Sequence, residues 1–186
     1  MNSQVAKGRV AGFSLIELMI VVAIVGMLAS IAVPNFFRFT MKSKTAEAKA
    51  NIAAIRTAET SYHATSGVYV AAPVSPVAHG GSNPQTFVAT GPSNAGFELL
   101  GWQPEGHVFF NYAVNSSAGG AGAYTIDASA DLDANGTNQV WGYVHPARNG
   151  AIIPGLLGCT GTWDGASESA TMVVGPCARE YGNSEF

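Results

Sequence analysis

One carboxylate interrupts an otherwise apolar stretch near the beginning of the chain. Residues 13–37 contain a single charged side chain, Glu17, and residues 18–37 contain none. A carboxylate inside hydrocarbon costs several kcal/mol unless it is neutralised or paired. Glu17 therefore either lies at the level of lipid headgroups, where it has no special role, or needs a positively charged partner.

Two cysteines, Cys159 and Cys177, enclose a segment near the C-terminus. Two cysteines are too few for an all-cysteine zinc site or a multi-bridge miniprotein. In a reducing cytosol they would be buried thiols or a redox pair. In an oxidising compartment they would form a disulfide, which closes a loop and stabilises the fold by about 3 kcal/mol.

An acidic turn in the second half of the chain has part of a calcium-binding pattern. Asp131, Asp133 and Asn135 alternate as in the first half of an EF-hand loop, and Gly136 follows them. Gly142 stands where that loop needs a bidentate glutamate, so the full motif fails. Asn-Gly between two strand-like segments is a strong hairpin signal, and we favour a tight turn over a Ca²⁺ site.

The sequence contains no recognisable catalytic motif. It has no nucleophile elbow, no phosphate-binding loop, no H-E-x-x-H helix, and no Cys/His spacing suited to a metal. The four histidines stand in unrelated contexts: His63, His79, His107 and His145. We expect no enzyme activity and no cofactor, with a membrane-tethered enzyme built from convergent residues as the alternative left open.

Length and composition favour a small anchored or surface protein. The chain has 186 residues, enough for one domain and an appendage. Charged residues make up only 11% of it, against about 25% in typical soluble domains. The net charge of −3 gives no basic field, so we expect no nucleic-acid partner.

The apolar stretch has the length of a membrane span but not the flanks of a secretory signal. As a helix, residues 18–37 would extend about 30 Å, the thickness of a bilayer core. A secretory signal places its small residues after the apolar region. Here Gly12 directly precedes it. The sequence thus divides into a leader at 1–12, an apolar helix at 13–37 and a head at 38–186.

The residues GFSLIELMIVVAIVG, from Gly12 to Gly26, closely resemble the class III signal of type IV pilins and of type II secretion pseudopilins. The resemblance covers about residues 8–65 and then weakens. It implies that a prepilin peptidase cuts between Gly12 and Phe13 and methylates the freed amine of Phe13. It also implies an assembly role for Glu17, paired with the Phe13 amine of the next subunit. A pair within one subunit is possible too, because the two positions are four apart on a helix.

Gly26 and Pro34 bracket the middle of the apolar helix. Glycine costs about 1 kcal/mol in a helix relative to alanine, and proline removes a backbone donor. The simplest interpretation is a kinked transmembrane helix. The resemblance implies instead that this stretch loosens when a pilin subunit enters its filament.

We predict an α+β fold in which the helix continues to about Ala64 and packs on a sheet. Its second half carries a weak apolar stripe, interrupted by Thr45 and Glu59, which argues against a coiled coil. The stripe consists of Met41, Ala48, Ile52, Ile55 and Tyr62. Residues 66–96 read as a long loop, and residues 107–114, 123–128 and 139–145 as strands. We expect three or four antiparallel strands and, by resemblance to pilins, a C-terminal disulfide loop.

The charges are unevenly distributed between the helix and the rest of the head. Residues 38–63 contain five basic and two acidic side chains, whereas two basic and nine acidic side chains follow from residue 65 onward. A basic stem and an acidic head would attract each other in a filament with repeating heterologous contacts. Some of the basic residues would also bind lipid headgroups.

The resemblance implies a homo-oligomeric helical filament as the function. We expect a major pilin of a type IV pilus, inserted in the bacterial inner membrane before assembly and extracellular afterwards, and serving adhesion and twitching motility. Its partners would be the prepilin peptidase, an inner-membrane platform protein and an assembly ATPase. A minor pilin, a type II secretion pseudopilin and a single-pass anchor with a binding head are the alternatives.

Overall fold

The computed structural model describes residues 12–77, 81–89, 96–117 and 122–180. The chain divides into two compact units, Met1–Phe39 and Thr40–Phe186. The predicted leader lies outside the described residues, except for Gly12. The two α-helices are α1 (Leu15–Ser66) and α2 (Gly96–Leu99). The seven β-strands are β1 (Ala72–Ser75), β2 (Gln85–Thr86), β3 (His107–Val108), β4 (Asn111–Ser116), β5 (Tyr124–Ala130), β6 (Gln139–His145) and β7 (Gly175–Pro176).

The first unit contains the apolar part of α1. Every residue from Gly12 to Phe39 is exposed, including large apolar side chains such as Leu15 and Phe36. Within the described residues, the first part of α1 is long and apolar enough to cross a membrane. Exposing an apolar surface of this extent to water is unfavourable, so we expect lipid or other protein chains to cover it.

The second unit confirms the predicted α+β class. Its main sheet has the order β1-β4-β5-β6-β7 with antiparallel neighbours. The central strands β4, β5 and β6 form the predicted meander. The sheet has five strands because two short edge strands, from the long loop and from the C-terminal segment, extend that meander on either side. β2 and β3 form a separate two-stranded sheet.

One face of the sheet packs on the second half of α1, as predicted. Ala48, Ile52 and Ile55 of α1 are fully buried in this core. Thr45 and Glu59, which were expected to interrupt the apolar stripe, are buried on it as well. The Thr45 hydroxyl donates to the carbonyl of Met41 at 3.1 Å, which lets a polar side chain enter the core at low cost.

The C-terminal segment covers the opposite face of the sheet. Every residue of β5 is buried, so neither face of this strand meets solvent. Ile126 and Ala128 point into the core against α1, while Thr125 and Asp127 alternate to the other face. There the Thr125 hydroxyl donates to the carbonyl of Ile153 at 2.6 Å. The head therefore has three layers: helix, sheet and C-terminal segment.

Candidate functional site

Ser14 and Glu17 form a capping box at the start of α1. The backbone N–H and the hydroxyl of Ser14 both donate to Glu17 Oε2, at 2.9 and 2.6 Å. In return the Glu17 N–H donates to Ser14 Oγ at 3.3 Å. This reciprocal pattern satisfies backbone donors that the first helical turn leaves unpaired. Sequence analysis considered only the Phe13 amine, of the same or of a neighbouring subunit, as a partner for Glu17. It missed Ser14, although Ser-x-x-Glu before an apolar run is the signal for this cap.

The residues around the predicted cleavage site are accessible. Phe13 is 87% exposed, and Gly12 beside it is exposed too. The Phe13 nitrogen belongs to a peptide bond in this uncut chain, so its predicted pairing with Glu17 as a free amine stays a prediction. The same holds for processing between Gly12 and Phe13.

Gly26 and Pro34 lie within an unbroken helix. A Cβ added at Gly26 would meet nothing within 4 Å, so no contact inside this chain requires glycine there. Pro34 does not end α1. Between them, the Ser30 hydroxyl donates to the carbonyl of Met27 at 2.7 Å. The proposed loosening of this stretch during assembly stays a prediction.

Cys159 and Cys177 form a disulfide, which confirms the predicted bridge. Both cysteines are buried against Val140 and Val144 of β6. The bridge lies directly over Gly142, since a Cβ built on that residue would be 2.4 Å from the Cys159 sulfur. The bridge joins Cys159 to the residue that follows edge strand β7, and it packs on β6 on the face away from α1.

Asp127 anchors the same C-terminal segment from inside the sheet. Its Oδ2 accepts the backbone N–H of Leu157 at 2.6 Å, while Oδ1 is buried with no partner among the described residues. Burial raises the pKa of Asp127 from 3.8 to about 7. Sequence analysis missed this residue, although an acid alternating with β-branched and aromatic residues in a buried strand was a visible signal.

Glu59 on α1 has a similar anchoring role. Its Oε2 accepts the backbone N–H of Val70 at 3.1 Å and so holds the chain just after the helix. Oε1 is buried without a partner among the described residues, and burial raises the pKa of Glu59 from 4.5 to about 7. The head thus contains two buried acids that hold loops, one on each side of the sheet.

Three basic side chains of α1 pack on aromatic rings of the same head. The Lys44 ammonium lies 4.5 Å from the Phe109 ring centroid. The other two such contacts are Lys49 over Trp141 at 4.6 Å and Arg56 over Tyr143 at 4.7 Å. Cation–π contacts of this kind contribute about 0.5–1 kcal/mol each at exposed sites. These three cations therefore have partners within their own subunit, in addition to any acidic neighbour in a filament.

The DLDANG segment forms a tight turn between β5 and β6. Asp131 Oδ2 accepts the Gly136 N–H at 2.9 Å, and Asp133 Oδ2 accepts the side-chain amide of Asn135 at 2.8 Å. Ala134 and Gly136 both have positive φ, as such turns need. The carboxylate oxygens thus hold the turn itself. Within the described residues no group of three or more His, Cys, Asp or Glu side chains is placed to hold a metal ion.

The fold brings two of the four histidines together around Tyr69. His63 stacks on the Tyr69 ring with centroids 4.3 Å apart, and His145 Nε2 lies 3.5 Å from the Tyr69 hydroxyl. They line a cavity of about 770 Å³ that Arg148 also borders. Burial, with the charges of Arg56 and His63, lowers the pKa of His145. The lining residues that the structure describes include no Ser, Cys or acidic side chain.

The N-terminal segment has known counterparts. A family model described as the prokaryotic N-terminal methylation motif matches residues 7–33. The type IV major pilin protein PilA of Myxococcus xanthus is 59% identical over 54 residues, which cover 29% of this chain and 24% of that protein. The N-terminal segment is therefore similar to that of type IV pilins with a class III signal.

Other pilins match the same kind of short segment. The type IV major pilin protein PilE of Neisseria gonorrhoeae is 41% identical over 58 residues, covering 31% of this chain and 35% of that protein. The type IV narrow pilus major component PilA5 of Thermus thermophilus is 48% identical over 50 residues, covering 27% and 43%. The matches thus span less than half the length of these curated pilins. No solved structure gives a significant match.

The segment matched by the methylation motif, residues 7–33, contains most of the predicted assembly residues. Gly12, Phe13, Glu17 and Gly26 fall inside the matched motif, and Pro34 follows it directly. The capping box and the exposed apolar surface lie in the same segment. The disulfide, the buried acids and the DLDANG turn lie beyond that motif, so their roles follow from the geometry of the head alone.

Proposed function

We propose that this chain is the major pilin of a type IV pilus, a structural subunit that acts by assembly and not by catalysis. The observation that carries the proposal is the methylation motif at residues 7–33, joined directly to an exposed apolar helix. Curated major pilins that share this segment support it. The subunits would form a filament for surface adhesion and twitching motility.

Processing would turn the start of α1 into the assembly site. A prepilin peptidase cuts between Gly12 and Phe13 and methylates the new amine. That amine carries a positive charge next to the apolar surface, where the Glu17 carboxylate needs one. Because both Ser14 bonds end on Oε2, the amine of a neighbouring subunit can approach Oε1 without breaking the cap. Removing one partner of such a buried pair costs about 3–5 kcal/mol, which is enough to set the axial register.

The exposed apolar side chains of residues 13–39 would be covered twice in the life of the subunit. In the inner membrane, lipid covers them. In the filament, the same segments of other copies cover them, in contacts that repeat without closing. Since burial against helices only replaces burial in lipid, extraction needs an external energy source. An assembly ATPase and an inner-membrane platform protein would supply it.

Gly26 and Pro34 would let α1 adapt during this transfer. Pro34 leaves the carbonyl of Ser30 without its usual helical donor. Gly26 costs helix stability and has no contact in this chain that requires it. We propose that the stretch between them unwinds partly when the subunit joins the filament.

Two measurements test this proposal: the identity of the mature N-terminus and the composition of filaments on the cell surface. Mass spectrometry of the chain from its own cells should find N-methyl-Phe13 as the first residue, and sheared surface filaments should consist mainly of this chain. An intact leader would indicate a plain single-pass anchor with a binding head. Methylated Phe13 without surface filaments would indicate a pseudopilin, and filaments with only traces of the chain would indicate a minor pilin.

A further inference from the structure

We propose that Asn135 is a site of N-linked glycosylation, modified by an oligosaccharyltransferase that uses a polyprenyl-diphosphate-linked oligosaccharide. Asn135, Gly136 and Thr137 form an N-x-[ST] acceptor sequence at the tip of the turn between β5 and β6. The proposal goes beyond filament assembly. It rests on the proposed function in one respect, because the head must face the compartment that holds the lipid-linked sugar.

The turn presents this acceptor to solvent. All residues from 133 to 137 are exposed, while the flanking Leu132 and Gln139 are buried and fix both ends of the turn. A membrane enzyme can therefore reach the side chain of Asn135 without opening the sheet. A bulky polar group attached there would extend into solvent and would not displace any core residue.

Both the oxygen and the nitrogen of the Asn135 side-chain amide are hydrogen-bonded. Its Oδ1 accepts the Thr137 N–H at 2.6 Å, which polarises the amide carbonyl. Its Nδ2 donates a hydrogen bond to Asp133 Oδ2 at 2.8 Å. Nδ2 is the atom that would bond to the sugar, so a carboxylate already contacts the reacting nitrogen. An amide nitrogen is a poor nucleophile because its lone pair is delocalised into the carbonyl. The bond from Thr137 orients the amide, and the bond to the Asp133 carboxylate increases the electron density on Nδ2.

The same turn disfavours deamidation, which is the competing reaction of the Asn135-Gly136 sequence. In an Asn-Gly sequence the backbone nitrogen of glycine can attack the asparagine side chain and release ammonia. Here the Gly136 N–H donates to Asp131 Oδ2 at 2.9 Å, and the Asn135 N–H donates to Asp131 Oδ1 at 3.1 Å. These bonds hold the backbone in the turn and keep the side-chain amide available for transfer.

The transfer balances without any redox partner. Nδ2 of Asn135 forms a bond to the anomeric carbon of the first sugar. The bond from that carbon to the terminal phosphate oxygen breaks, and its electron pair leaves with the polyprenyl diphosphate. Nδ2 loses one proton, which passes through a carboxylate to solvent. The carbonyl of the side chain stays intact.

A second acceptor sequence in the chain provides an internal control. Asn115, Ser116 and Ser117 also match N-x-[ST]. Asn115 is half-buried in β4, paired with Thr125 of β5, and its Nδ2 donates to the carbonyl of Pro154 at 2.8 Å. Its amide is thus held in the sheet, and no acidic residue stands two positions before it. We expect Asn115 to remain unmodified.

The test is peptide mass spectrometry of the full chain purified from its own cells, with the state of the Phe13 end measured in the same sample. We expect a glycan on the peptide with Asn135 and none on the peptide with Asn115. Asn135→Gln and Thr137→Val should abolish it, whereas Thr137→Ser and Asn115→Gln should leave it unchanged. Asp133→Asn should lower occupancy severalfold while the acceptor sequence stays intact.

Each outcome decides between the two proposals. Methylated Phe13 with bare Asn135, or with deamidation only, overturns the glycosylation site and leaves the pilin function standing. Glycosylated Asn135 on a chain that keeps its leader supports the site and overturns the pilin function. A glycan on Asn115 equal to that on Asn135, or full occupancy in Asp133→Asn, contradicts the role of the turn. Bare Asn135 on an unprocessed chain overturns both.

Discussion

Gly142 of β6 pairs directly with Gly175 of β7, and only one of these two neighbouring glycines is required by its contacts. A Cβ at Gly142 would lie 2.4 and 2.8 Å from the sulfurs of Cys159 and Cys177. A Cβ at Gly175 would make only ordinary contacts, the nearest at 3.4 Å from Thr162. The disulfide therefore occupies the space that any side chain at position 142 would need.

Gly142→Ala should destabilise the head, and Gly175→Ala should not. Overpacking a closely packed site costs about 1–3 kcal/mol, and here the obstacle is a rigid bridge. We expect a lower urea midpoint for Gly142→Ala in the full chain in mild detergent, followed by near-UV circular dichroism of the head aromatics. Equal midpoints for the two variants would show that the bridge can move away from β6.

Reduction of the disulfide should loosen the C-terminal layer. Closing this loop stabilises by about 3 kcal/mol in the chain-entropy model. We expect dithiothreitol to lower the urea midpoint of the wild-type chain by a corresponding amount. The Cys159→Ala/Cys177→Ala double variant is the control, since reductant should leave its midpoint unchanged. A wild-type midpoint unaffected by reductant would contradict the stabilising role of the bridge.

The head should lose stability as the pH rises from about 4 to about 7. Burial raises the pKa of Glu59 and of Asp127 to about 7, from 4.5 and 3.8. Between these values the folded state keeps protons that the unfolded state has released, so each acid favours folding at low pH and loses that contribution as it ionises. Shifts of this size correspond to roughly 3 kcal/mol for Glu59 and roughly 4 kcal/mol for Asp127. Urea denaturation at pH 5 and pH 8 measures the difference.

Neutral variants assign that pH dependence to the two acids. Glu59→Gln and Asp127→Asn keep an oxygen that can accept the N–H of Val70 or Leu157, and each should flatten the pH dependence. Glu98→Gln, on the exposed side of α2, should leave it unchanged. The lowered pKa of His145 acts in the opposite direction, which is why each variant is compared with wild type at both pH values. An unchanged slope in both variants would refute the assignment.

Variants of Ser14 and Glu17 separate the helix cap from the assembly charge. Glu17→Gln keeps an oxygen for the Ser14 bonds but removes the negative charge. Ser14→Ala keeps the charge but removes the Oγ bonds, at about 1 kcal/mol of helix stability. If Glu17 pairs with a neighbouring amine, Glu17→Gln should yield few surface filaments and Ser14→Ala nearly normal numbers, by electron microscopy and filament yield. The reverse order would mean that the cap, and not the charge, controls assembly.

The order of elements along this chain was readable from the residues because it depends on local patterns. The apolar run with Glu17 predicted the first part of α1, and the alternation of residues 139–145 predicted β6 to the residue. The disulfide was predicted less directly, from an anchor topology that places the head in an oxidising compartment and from the resemblance to pilins. The helix and strand predictions depend only on the periodicity and composition of a few neighbouring residues.

The second face of the sheet was decided by tertiary structure alone. The sequence predicted one layer against the helix, but the segment that contains Pro154 and Leu157 returns to cover the other side of β5. That return makes Asp127 a buried anchor and Gly142 a site without room. Neither role depends on the neighbours of these residues in sequence.

The sequence by itself determined that an apolar helix with one early acid leads into an α+β head. These features depend on short-range properties of the sequence, namely hydropathy, helix and strand periodicity, and the type of residue at each position. Only the tertiary structure decided which polar groups are buried, because burial depends on segments far apart in the chain that pack together. Thr45, Glu59 and Asp127 look like breaks in a pattern in the sequence, but in the fold each is buried and hydrogen-bonded to a backbone group.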